Sequence, residues 1–298
     1  MKKKIKKIDI HVHTRSSKSI TRLRDDTTYA SPKEIRKKYD DWGIEKGVIL
    51  PGIMNECGFH IQSNEDAYEL YKKYSDTFYW FCNLHPRMGK NSPDTDFSHF
   101  LNYYKKLGAK GVGELTANLY FDDPLTLNLF SHCEKCEMPV TIHIAPQIGG
   151  YYGLVDDLGL PRLEKVLATF PKLKILGHSQ FLWSEIGSDV TEKTRGQYPT
   201  GEVKPGRLVY LFENYENLLG DLSAGSGGNA IMRDEEFGLW FLEKFQDRLY
   251  FGTDICAPFN YFGLSSWLDA KYEEGKLDEQ VYKKVCRDNA LKLLKNTK

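Results

Sequence analysis

The 298-residue chain shows no imbalance of charge. Lys and Arg number 41, as do Asp and Glu, so no global field draws it to nucleic acid. It also has no run of about 18 apolar residues, which excludes a membrane-spanning helix. Five lysines crowd positions 2–7, but Asp9 and two histidines follow them where a signal peptide would place a long apolar stretch. The six cysteines then read as reduced thiols of a cytoplasmic protein. Cys133 and Cys136 form a lone CxxC with no second pair for a zinc site, so ordinary helix packing is expected of them. Internal repeats and low-complexity tracts are missing too, as is any shift in composition that would mark a linker. The P-loop Gly-Lys-Ser/Thr and a complete GxGxxG are absent, which removes nucleotide binding.

What is present is a strand–helix alternation. Apolar runs lie at 5–13, 46–52, 77–84, 109–115, 138–145, 173–179, 218–224 and 249–255. Between them fall helical patterns. Ser31-Pro32-Lys33-Glu34 opens one with an N-cap, a proline at the first helical position and a capping-box glutamate. Ile35, Tyr39 and Trp42 mark its apolar face and Gly43 ends it. Further helices are expected at Asn64–Tyr74, Phe97–Leu107, Leu125–Cys136, Pro161–Phe170, Gly206–Tyr215, Glu235–Phe245 and Asp278–Leu294. Eight strand–helix units predict a single-domain (β/α)8 TIM barrel over 1–298. The active site of that architecture lies at the C-terminal ends of the strands.

Those ends carry metal-capable side chains. His11 and His13 close the first run, on one face and about 7 Å apart along a strand. Glu114 closes the fourth, His143 the fifth, His178 the sixth and Asp254 the eighth. Imidazoles and carboxylates collected at one mouth need a cation to satisfy them, so one or two divalent ions, zinc by expectation, are predicted. Such an ion lowers the pKa of water toward about 7 and polarises a carbonyl. Asp254 is expected to be the general base. The expected activity is hydrolysis of a small-molecule amide, ester or lactone. The alternative is non-hydrolytic decarboxylation of a small carboxylic acid, with His178 as proton donor.

Several short pieces carry a resemblance when taken in order: Asp9-Ile10-His11-Val12-His13, Gly108-Ala109-Lys110-Gly111-Val112, Ile142-His143, Leu176-Gly177-His178, Arg248 through Asp254, and Asn289 through Leu294. Together they resemble the amidohydrolase superfamily, in the amidohydrolase-related branch that contains aminocarboxymuconate-semialdehyde decarboxylase. The resemblance implies that His11, His13, His143 and Asp254 hold a divalent metal, and that His178 binds a second metal or meets substrate. Glu114 departs from that branch. It resembles the bridging glutamate of TatD-like deoxyribonucleases, so it either bridges two ions or contacts substrate. The opening also resembles that of PHP-type phosphoesterases. Their sites end in Asp-x-His, whereas Ile255 and Cys256 follow Asp254 here, so a TatD-like or PHP-like phosphoesterase is a minor alternative.

The loops after the strands should select the substrate. The first carries Arg15, Arg22 and Arg24, and the third Arg87. The loop from Gln180 to Pro205, with Phe181, Trp183 and Tyr198, is expected to form a lid. Ser223 to Asn229 is read as a glycine-rich loop whose amides approach an anion. Arg15, Arg87 and Trp183 are the expected substrate contacts, for a small and acidic molecule. Neither nucleic acid nor membrane is an expected partner, and a homodimer is allowed.

Overall fold

In a computed structural model the described residues are 4–296, apart from 18, 19, 23, 24, 57 and 59. Eight parallel strands occupy the eight expected runs: β1 (Lys7–Val12), β2 (Ile44–Ile49), β3 (Phe78–Trp80), β4 (Val112–Leu115), β5 (Val140–Ala145), β7 (Ile175–His178), β8 (Leu218–Asp221) and β9 (Leu249–Tyr250). A two-residue strand, β6 (Leu154–Val155), pairs with β5 and had no counterpart in the reading of the sequence. The strands form two ladders, β1-β2-β3 and β4-β5-β7-β8-β9. Single parallel bridges join them at both seams, Cys82 with Val112 and Val12 with Ile255. At the second seam Ile10 N–H donates to Phe251 O at 3.0 Å and His13 N–H to Ile255 O at 2.9 Å. The fold is therefore a (β/α)8 barrel.

The first helix begins where its cap predicts. α1 (Pro32–Trp42) carries the full Ser31–Glu34 capping box and ends on Gly43 at φ 67°. α2 (Asn64–Lys73) has a second box, Ser63 with Asp66. α3 (Phe97–Lys106), α4 (Pro124–Lys135), α5 (Pro161–Thr169) and the short α6 (Gln180–Trp183) follow in turn. Then come α7 (Arg207–Asn214), α8 (Ala224–Met232), α9 (Glu235–Lys244), α10 (Leu264–Glu273), α11 (Glu279–Lys283) and α12 (Asn289–Asn296). Cys133 lies inside α4, buried and unbridged, as ordinary packing requires. No helix among the described residues is long and apolar enough to cross a membrane.

The barrel is layered. Ile8, Ile10, Val48, Leu50, Phe81, Leu176, Leu219 and Tyr250 form a buried inner cluster, which Ala290, Leu293 and Leu294 of α12 join. A larger cluster packs the opposite strand faces against the helices. Successive side chains alternate faces, so two residues beyond Leu176 and Leu219 the inward positions carry His178 and Asp221. In β1 the pairing register shifts between Asp9 and Val12. Ile8 and Ile10 lie inside, whereas beyond the shift Val12 joins the outer cluster. This leaves His11 and His13 facing the mouth.

Candidate metal centre

Three imidazoles at the mouth have one ring nitrogen tied down. His11 Nδ1 lies 2.6 Å from Asp221 Oδ2. His13 Nδ1 lies 2.9 Å from the carbonyl of Leu50. His178 Nδ1 lies 3.0 Å from Ser223 Oγ. A carbonyl or carboxylate partner can only accept, so Nδ1 of His11 and of His13 carries the proton. Each Nε2 then presents a lone pair, the arrangement that fixes a metal-binding tautomer. Those two Nε2 atoms stand 3.0 Å apart. Facing lone pairs at that distance repel unless a proton or cation lies between them.

Two carboxylates complete the ring. Glu114 Oε2 is 3.8 Å from His11 Nε2 and 3.6 Å from His13 Nε2. Asp254 Oδ1 is 3.6 Å and 3.4 Å from the same atoms. The other oxygen of each turns to His178 Nε2, Oε1 at 3.9 Å and Oδ2 at 3.8 Å. Donors bound to one zinc-type ion at about 2.0–2.2 Å lie roughly 3–3.6 Å from one another, so a small inward movement seats a cation. Two donor groups emerge, His11 with Glu114 and His178, and His11 with His13 and Asp254. Neutral nitrogens with carboxylates suit zinc, manganese or iron. The residues present fit a divalent cation.

The electrostatics point the same way. Burial favours neutral His11, yet Asp221, Asp254 and Glu114 outweigh it and raise His11 to about 10. Burial likewise opposes His13's charged form, but Asp254 and Glu114 raise it. Glu114 and Asp254 are held below the usual carboxylate range, because the surrounding imidazoles overcome the penalty of burial. A strong demand for positive charge is thus built into the mouth, and a cation meets it without protons.

Backbone geometry delivers Asp254. Its φ of 53° is left-handed, which a non-glycine residue adopts only when its surroundings enforce it. Asp254 N–H donates to His11 O at 2.8 Å. Behind it, Asp9 accepts from Thr253 Oγ1 at 2.6 Å, Tyr39 OH at 2.7 Å, Thr253 N–H at 2.8 Å and His11 N–H at 3.0 Å. Burial raises the Asp9 carboxyl to about 6 against these four bonds.

His143 borders the cluster on the His178 side. Its ring centroid lies 5.6 Å from that of His178 and 4.4 Å from that of Tyr152. Its Nδ1 is buried without a partner, and burial holds it neutral, with its pKa lowered to about 4. Gly153 makes room for it at φ 115°, since a Cβ there would sit 2.8 Å from His143 Nδ1. Of the expected set, His11, His13 and Asp254 form one close donor group, Glu114 and His178 group with His11, and His143 stands at the edge of the cluster, within electrostatic reach of Glu114, His178, Asp254 and His11.

The expected substrate contacts diverge. Arg15 is buried beside the mouth, its guanidinium carbon 4.1 Å from the centroid of the Tyr29 ring. Arg87 is on the surface near Glu56, 4.0 Å away. Arg24 lies outside the described residues. Trp183 requires correction. It is 1% exposed, its indole N–H donates to Asp221 O at 2.9 Å, and its ring packs on Phe241. An indole that fills the core behind β8 is unavailable to a lid. The glycine-rich segment is corrected as well, since it forms α8. A Cβ at Gly227 would lie 2.4 Å from the carbonyl carbon of Leu222, so glycine lets the helix press on the end of β8. Asp221, Ser223 and Asp9 were missed in the sequence. For Asp221 the signal was the one used elsewhere, an acid ending an apolar strand.

No protein-family model matches the chain, and no curated protein matches it. Solved structures do. An uncharacterized TIM-barrel protein, Bb4693 from Bordetella bronchiseptica, aligns at TM-score 0.66 and 17% identity over 98% of this chain and 99% of that one. A dihydroxybenzoic acid decarboxylase from Polaromonas sp. JS666, with bound manganese and the inhibitor 2-nitroresorcinol, aligns at TM-score 0.62 and 17% identity over 99% and 98%. A probable 2-pyrone-4,6-dicarboxylic acid hydrolase from Acinetobacter baumannii aligns at TM-score 0.56 and 12% identity over 98% and 100%. At these identities the likeness shows the fold.

Proposed function

We propose that this chain is a metal-dependent enzyme of the amidohydrolase superfamily that hydrolyses an amide, ester or lactone bond in a small molecule. The observation that carries the reading is the double fork of carboxylates. Glu114 and Asp254 each turn one oxygen to His11 and His13 and the other to His178. These five residues would hold one or two divalent cations, and the charge balance calls for them. A cation bound there supplies a Lewis acid that polarises a carbonyl and lowers the pKa of water toward about 7. Asp254 accepts the proton of the attacking water and returns it to the leaving group. Its side chain is 25% exposed against 10% for Glu114, so it is the carboxylate open to incoming water. Asp221 and Ser223 keep His11 and His178 oriented throughout.

Decarboxylation is the second reading, favoured by the manganese-containing decarboxylase among the similar folds. Here the bond between carbon and carboxylate breaks, its electron pair stays on carbon, and His178 delivers the proton that replaces CO2. Lactones, acylated amines and hydroxylated benzoates, incubated with metal-loaded protein in oxygen-18 water, separate the two. Labelled oxygen in the product without CO2 is expected. Release of CO2 without label would replace hydrolysis by decarboxylation. Neither outcome with any of zinc, manganese or iron would overturn both.

A further inference from the structure

We infer that the substrate of this site carries a carboxylate that docks on Arg15, beside the histidine–carboxylate cluster. This rests on the small-molecule reading above and adds the chemical class. Arg15 follows His13 by two residues, which span at most about 7 Å of chain. Its backbone N–H donates to Ala30 O at 3.3 Å, anchoring it at the mouth. The residue is only 4% exposed.

Its guanidinium is poorly matched by the protein. Nη1 donates to Gln62 Oε1 at 2.7 Å and to Thr14 O at 3.1 Å. Nε is buried without a partner. Among the described residues no carboxylate lies within 4.0 Å of it. Arg195 and Arg233 also carry unpartnered guanidinium nitrogens, but each of the other buried cations has a carboxylate within 4.0 Å. Lys7 has Asp269 at 2.7 Å, Lys271 has Glu235 at 2.8 Å and Arg195 has Glu185 at 3.3 Å. A buried charge without a counter-ion costs several kcal/mol, so a chain that leaves one beside its reactive mouth is matched to a ligand that brings the anion. A guanidinium keeps its charge at neutral pH.

The surroundings suit a carboxylate. Tyr29 lies face-on to the guanidinium at 4.1 Å, and Arg22 approaches the same ring at 5.8 Å. A planar guanidinium fork matches the two oxygens of a carboxylate. Gly52 keeps the fork clear, since a Cβ there would press on Nη2 from 3.1 Å.

The test uses metal-stripped protein, so that neither turnover nor a bound cation contributes. Benzoate and its uncharged counterpart benzamide are titrated by calorimetry. Wild type should prefer benzoate by at least about tenfold, the worth of one charge-assisted fork. R15K should lose most of that preference, because a point charge replaces the fork. Q62E places a carboxylate on Nη1 from within the chain, so it should abolish the preference while the thermal midpoint stays at or above that of wild type. Equal binding of benzoate and benzamide by wild type would overturn the inference. So would a folded Q62E that still prefers benzoate; if Q62E does not fold, an R15K that keeps the full preference decides equally. Hydrolysis or CO2 release without that preference would sink the inference alone. A preference without turnover on any metal would sink the functional reading alone.

Discussion

The two ends of β1 treat a buried cation in opposite ways. At the start of the strand Lys7 is 1% exposed, and its Nζ lies 2.7 Å from Asp269 and donates to Trp42 O at 3.4 Å. Just past its end Arg15 is nearly as buried and has only neutral acceptors. The histidines and carboxylates between them repeat the contrast, since the mouth concentrates groups that need a further charge. One end of the barrel is internally satisfied and holds the fold. The other is left incomplete, which is what a site needs if ligands are to finish it.

Substitutions at either end should break this contrast in different observables. The largest effect is expected at Asp254. Asp254→Asn should lower turnover by about 10²–10⁴-fold while most of the metal and the melting temperature remain. Near-normal turnover at full metal occupancy would move the base to another residue. Next is Lys7→Met, which strands Asp269 and should cost roughly 3 kcal/mol in a urea melt, with turnover per folded molecule unchanged. Asp221→Asn should weaken metal affinity about 10–100-fold, measured by competition with a chelator dye. Unchanged affinity would reduce Asp221 to packing. Arg15→Met should stay within about 1 kcal/mol of wild type, because it removes an unmatched charge along with two hydrogen bonds. A loss as large as that of Lys7→Met would erase the difference between the two ends.

The pH dependence sharpens the same point. In metal-free protein His11 is raised from 6.5 to about 10, its carboxylate neighbours outweighing burial. The stability it adds is complete below the unfolded value and is lost as pH rises through about 10. Glu114 and Asp254 shift downward, so their contribution is present above ordinary carboxylate values and lost as pH falls through the lowered ones. Melting temperatures of stripped protein should therefore decline by a few degrees between pH 7 and 10. Added manganese or zinc should flatten that limb, because a bound cation replaces the proton. Parallel curves with and without metal would refute it.

Much of the barrel was legible because its signals are local. The Ser31–Glu34 box and the apolar runs are read without knowing what packs on them. What escaped depends on distant contacts. Gly225, Gly227 and Gly228 suggest a loop until one sees α8 pressed on Leu222. α10 starts just after Gly263, with no side-chain cap to announce it. Trp183 looked like a lid residue because its partner, Asp221 O, lies 38 positions away. In the site, strand ends were readable, but tautomers were not. Only the structure shows that His11, His13 and His178 have Nδ1 held while His143 does not.

The hydrogen bonds that close the barrel also bear on its synthesis. Asp9 and Thr253, 244 positions apart, are joined directly beneath the histidine–carboxylate cluster, and Asp254 docks on His11 O. About 240 residues separate His13 from Asp254, so at roughly 5–20 residues per second Asp254 leaves the ribosome tens of seconds after the two histidines. Until then the nascent chain offers two histidines without the carboxylate that completes their set. The strand that ends in Asp254 thus completes the donor set, and an unfinished chain should compete for a divalent cation less well than a finished one.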